Sequence, residues 1–134
     1  MYKEYIICIV VILLVILLEV ITQNLTQDSL RDIIDNLYNL RDILKEEMLD
    51  ESDDKINESN NKIYDIIYTW DEKYEVLSFY IEHNELEKVK TELVELNANT
   101  EIEKFGEAIG NVDRTVYLLE HIKQKMSLQV KNIF

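Results

Sequence analysis

Two histidines hold most of the acid–base or metal chemistry open to this 134-residue sequence. His83 lies between Glu82 and Glu85, and an imidazole beside carboxylates can move a proton near neutral pH or share a metal ion. Zinc hydrolysis on a helix needs the spacing His-Glu-x-x-His, which puts both rings on one face with the glutamate as base. The second histidine, His121, stands far along the chain, and that spacing is absent. There is also no phosphate loop, nucleophile elbow or paired-cysteine motif. His83 is therefore expected to pack or cap at a helix junction. No catalytic, cofactor-binding or metal-ligating residue is expected, and the chain reads as a non-enzyme.

The run Asp50-Glu51-Ser52-Asp53-Asp54 offers carboxylate oxygens to a hard cation. A calcium loop of the helix–loop–helix type needs alternating acids, a central glycine and a closing glutamate, and the first two are missing. A solvated interhelical loop within Glu46–Glu58 is the expectation. Cys8 is the sole cysteine, so no intramolecular disulfide can form. Lying in an apolar run, it reads as a small hydrophobe. Asn24-Leu25-Thr26 and Asn57-Glu58-Ser59 match glycosylation triplets, a pattern common by chance in an Asn-rich chain. Trp70 lies on an apolar seam and is expected to fill core.

The elements that must position these groups are helices. The sequence has no proline and two glycines, Gly106 and Gly110, whereas folds of many strands need several such residues in tight turns. Ile6 to Leu18 is unbroken by a polar residue. With Tyr5 before it and Val20 and Ile21 after it, the stretch reaches spanning length, interrupted by Glu19. No small-x-small cleavage site follows Leu18, so an uncleaved anchor over residues 1–21 is expected. Glu19 is expected to reach the headgroups. Lys3 precedes the span and the first basic residue after it is Arg31, which favours a cytoplasmic N-terminus and an extracytoplasmic bundle.

The net charge is -13, of which -12 falls on residues 22–134. Such a surface repels phosphates, so no nucleic-acid partner is expected. In this acidic domain Leu30, Ile33, Leu37, Leu40 and Leu44 recur at three and four, a helix seam. It could start afresh at Ser29 or continue from the anchor. A second helix places Ile56, Ile63, Trp70 and Leu77 on one heptad line and Ile67, Tyr74 and Ile81 on the other, flanked by Tyr64, Tyr68, Val76 and Tyr80. A third, short helix starts with Asn84 as N-cap and Glu87 reciprocal, and carries Leu86, Val89, Leu93 and Leu96. Asn97-Ala98-Asn99 reads as a turn, and Thr100 with Glu103 as the capping box of a fourth helix. That helix carries Ile102, Phe105, Ile109, Val112, Val116, Leu119 and Met126. The ending SLQVKNIF reads as a packed-back extension. The fold expected is all-α: a single transmembrane helix, then an antiparallel bundle of three to four coiled-coil-like helices whose C-terminus returns towards the bilayer. Lys123, Lys125 and Lys131 would then lie near the lipid.

Trp70, the stretch FYIEHNELEKV around His83, LLEHI at 118–122 and the ending SLQVKNIF resemble the bacterial domain-of-unknown-function family 4363. The resemblance is strongest in the last third of the chain. It implies a short membrane-anchored helical protein, of a low-GC Gram-positive bacterium, with no activity or catalytic residues to carry over. The function expected is a membrane-tethered interaction or scaffolding module for another membrane or envelope protein, with self-association also open to it. Its candidate partner-binding residues are Tyr64, Tyr68, Leu128, Val130, Ile133 and Phe134. The alternative is an extracytoplasmic sensor or binding module for cations or cationic ligands at the acidic tip.

Overall fold

A computed structural model describes residues 1–50 and 53–133, and the side chains of all of these except 53–55, 129, 130 and 133. Four helices follow one another: α1 (Tyr2–Leu49), α2 (Asp53–Leu77), α3 (His83–Glu101) and α4 (Phe105–Ile133), with no strand among the described residues. Each packs on its neighbours in sequence, α4 closes back on α1, and the diagonal pairs do not touch among the described residues. This is a square antiparallel four-helix bundle with short connections, as the sequence leads one to expect.

The anchor and the first bundle helix are one element. α1 runs 48 residues without a break, about 72 Å at the helical rise. Its apolar stretch has a mean hydropathy of 3.1, none of it is buried, and it is long and apolar enough to cross a membrane. Burial begins abruptly at Gln23 and then recurs at Thr26, Leu30, Ile33, Leu37, Leu40, Leu44 and Glu47. Steps of three and four over seven turns keep one stripe facing the partner helices.

The other helices repeat the rule. Buried positions are Ser59, Ile63, Ile66, Trp70 and Leu77 on α2, and Leu86, Val89, Leu93, Leu96 and Thr100 on α3. On α4 they are Phe105, Ala108, Asn111, Val112, Thr115, Val116, Leu119, Ile122 and Met126. The hydroxyls of Thr26, Ser59, Thr100 and Thr115 donate to carbonyls three or four residues back, which lets small polar groups enter the core satisfied.

Five sequence-level expectations are corrected. The second seam of α2 runs through Ser59 and Ile66, whereas Ile67 and Tyr74 are half-buried flanks. Ile66 and Ile67 are equally apolar neighbours, so packing and not hydrophobicity selects which one faces the core. α3 begins at His83 with Glu82 as N-cap, and no side-chain cap bond forms there, so Asn84 is not the cap. Asn97–Asn99 is helix, since α3 continues to Glu101 and buries Thr100. The α3–α4 turn falls at Ile102–Lys104, and Ile102 itself is exposed. Its amides close a Schellman motif: Lys104 N–H bonds Asn99 O (2.8 Å) and Glu103 N–H bonds Thr100 O (3.0 Å). Glu103 sits at the left-handed position, φ 60°, where glycine is usual. Finally, the C-terminal segment through Ile133 is the last turns of α4, not a separate extension.

Candidate functional site

The surface between α3 and α4 carries the densest polar chemistry of the described residues. Asn111 is fully buried on α4. Its side-chain amide donates to Glu92 Oε2 (2.9 Å) and Glu95 Oε2 (3.2 Å) on α3, while its carbonyl oxygen accepts from Asn99 (2.7 Å). One turn along, Arg114 Nε lies 3.0 Å from both oxygens of Glu92. Glu92 thus accepts from both an amide and a guanidinium, which ties it to α4 as a structural carboxylate. Towards the N-terminal end of α3, Glu85 accepts from Lys125 Nζ, and His121 Nε2 lies 3.8 Å away. The hydrogen bond to Glu85 holds the Lys125 ammonium above its usual pKa range.

These residues wall a groove on the outer face of α3 and α4, about 390 Å³, lined among others by Lys88, Thr91, Glu92, Arg114, Tyr117 and Leu118. It continues into a smaller depression of about 200 Å³ reaching Glu85, His121 and Ile122. Tyr117 stands exposed in both parts. An aromatic and a leucine with a polar rim form a surface suited to holding a side chain of a partner.

The histidine singled out by sequence opens α3 and meets the groove through Glu87, which lines it. Tyr74 O–H donates to Glu87 Oε1 (2.8 Å), so its oxygen accepts from His83 Nδ1 (2.7 Å), which must carry the hydrogen. The two rings meet edge to face, with centroids 6.0 Å apart. Burial, and then the bond to Glu87, push the Tyr74 phenol above its usual pKa. A phenol kept neutral and committed to a carboxylate joins α2 to the start of α3, a mechanical role. Among the described residues no group of three or more His, Cys, Asp or Glu side chains is placed to hold a metal ion. Residues 51 and 52 of the acidic run lie outside the described residues.

The candidate partner-binding residues belong to two places, the flank of α2 and the C-terminal end of α4. Tyr64 and Tyr68 are exposed on α2. Tyr64 O–H reaches Glu101 on α3 (3.4 Å), and a hydrogen bond to Glu72 raises the Tyr68 pKa. Leu128 is exposed near the opposite end of the bundle. The side chains of Val130 and Ile133, and all of Phe134, fall outside the described residues. Trp70 is fully buried, as its seam position implied. Both glycosylation triplets lie within helices with Thr26 and Ser59 buried, not on the surface loops that such acceptors occupy. The α3–α4 groove was missed from sequence, although Glu92/Glu95 and Asn111/Arg114 are both spaced to share one helix face.

Fold and surface together define a class: a four-helix bundle whose first helix extends beyond it as an apolar rod. The family model for the domain of unknown function DUF4363 matches residues 20–133. The chain belongs to this family, whose match begins where the apolar run ends. No curated protein and no solved structure matches the chain.

Proposed function

We propose that the protein is a membrane-tethered helical interaction module, with α1 crossing the bilayer and the bundle presenting its surface to another membrane or envelope protein. The observation that carries this reading is the continuity of α1. Residues 1–22 bury nothing in the fold, with Ile16 and Val20 partly covered, and the remainder of α1 is one wall of the core. A tether built into the core holds the bundle at a set height and raises its local concentration beside membrane partners. The α3–α4 groove, with exposed Tyr117 beside Leu118, offers a surface that could grip one. Lys3 before the span and the lack of basic residues up to Arg31 favour the bundle outside the cytoplasm.

The test is in-cell photocrosslinking of the full chain, with a photoreactive residue at position 117 and, separately, at 68. The reading expects one membrane or envelope protein captured from position 117 and lost on Leu118→Asp. Adducts only to lipid, or the same diffuse set from both positions, would overturn it.

A further inference from the structure

The unbroken helix of α1 fixes how high the bundle stands above the membrane, and the height is almost nothing. Tyr2–Ile21 is 20 residues, about 30 Å of helix, which matches the hydrocarbon thickness. The first residue buried in the bundle, Gln23, follows two positions later with no linker.

Three exposed apolar side chains fall at that height from three different elements. Leu25 is on α1 itself. α2 descends 24 steps from Asp53 at the tip, which returns Leu77 to the level of Leu25, 24 residues back from Leu49. Phe79, in the turn just below Leu77, is 83% exposed. On α4, Arg41 pairs with Asp113. Leu128 lies as far past Asp113 as Thr26 lies before Arg41, so it too returns to this level. A second route agrees: Lys125, level with Ser29 by the same reckoning, bonds Glu85, which follows the turn carrying Phe79. Ile81, two residues on, tucks into the core, so the backbone presents Phe79 outward on a fixed support.

The headgroup layer is roughly 5–7 Å thick on each side of the hydrocarbon. An aromatic ring within a few ångströms of its inner edge is where aromatic side chains concentrate at membrane surfaces. We propose that the base of the bundle is seated in the phospholipid headgroup layer of the bilayer that α1 crosses, with Phe79 as its principal insertion. Leu25 and Leu128 complete the ring. Phe79 is thus a lipid contact, not a site for a protein partner. This inference rests on the membrane-tethered reading.

The full chain in a Cys8→Ser background is labelled with an environment-sensitive fluorophore at Phe79→Cys, at Leu128→Cys and, as the distal control, at Asp50→Cys. Each is reconstituted in phosphatidylcholine vesicles with lipids carrying a nitroxide near the headgroup. Several-fold stronger quenching at 79 and 128 than at 50 is the expected result. Quenching at 79 no greater than at 50, in protein that resists alkaline extraction, would overturn the seating while leaving the anchor intact. Protein extracted by alkali would overturn both. Because an attached dye is itself apolar, unlabelled Phe79 is also compared with Phe79→Ser for protection of the 78–82 turn from protease. Seating predicts that vesicles protect the native turn more than the variant; equal protection would count against it.

Discussion

Arg41 of α1 and Asp113 of α4 meet side by side, Nε to Oδ1 at 2.6 Å and Nη2 to Oδ2 at 3.2 Å. The fork fits the carboxylate in one orientation, so the pair reports the register of α4 against α1. The Asp113 hydrogen bond also raises the guanidinium pKa further above its ordinary value. Both groups are partly exposed, and solvent screens such pairs. Arg41→Ala and Asp113→Ala should each lower the thermal midpoint slightly, with the double variant no worse than the poorer single one. Thermal melts of all four proteins in detergent check this; losses that simply add would show that the pair is not coupled.

Asn111 is neutral because two carboxylates need its amide. Asn111→Ala should cost about 1–3 kcal/mol, the penalty for removing one side of a buried polar contact. Asn111→Asp should cost more, about 3–5 kcal/mol at neutral pH, because a buried charge is then left beside Glu92 and Glu95. The introduced carboxyl, crowded by like charges, takes a raised pKa in the folded state. The aspartate variant should therefore regain stability as the pH falls, and urea melts at pH 5 and pH 7 would reveal it. A loss independent of pH would rule out the electrostatic account.

Lys125 and Tyr74 both hold their protons more tightly when folded than when unfolded, through Glu85 in the first case and through burial and Glu87 in the second. A raised folded pKa contributes stability in full below the unfolded value and loses it as the pH rises through the folded one. The ordinary values are 10.5 and 10.0, so both contributions should fade on the alkaline side of these. Tyr74→Phe with Lys125→Met should flatten the decline of melting temperature above pH ~10. An unchanged slope would assign the decline to other groups.

Glu103 occupies a left-handed conformation that costs a side-chain-bearing residue about 1 kcal/mol or more. Glu103→Gly should stabilise the fold by up to about 1 kcal/mol, once the extra freedom of glycine in the unfolded chain is set against it. A destabilised variant would mean that the Glu103 side chain makes a contact that outweighs its strain.

Much of this was legible in the residues. Leu30, Ile33, Leu37, Leu40 and Leu44 are the α1 core, and they are also the residues that its periodicity selects. Where the reading slipped, the local signal had two solutions. Thr100-x-x-Glu103 has the composition of a helix start, yet Thr100 is buried and its hydroxyl bonds back to Leu96. Nothing within four residues distinguishes that end from a beginning. On α2, the seam expected at Ile67 and Tyr74 runs instead through Ser59 and Ile66, and nothing in the local pattern separates Ile66 from its equally apolar neighbour Ile67.

The sequence by itself determined the helices, the apolar rod and the seams of α1 and α3, because helix periodicity and apolar length are local properties that one strand of text can carry. Tertiary structure alone decided that the rod and the first bundle helix are one element, and which polar groups meet across helices. Charges scattered along acidic helices allow many registers of nearly equal energy. Only the simultaneous packing of four seams selects the one that joins Asn111 to Glu92, Arg41 to Asp113 and Lys125 to Glu85.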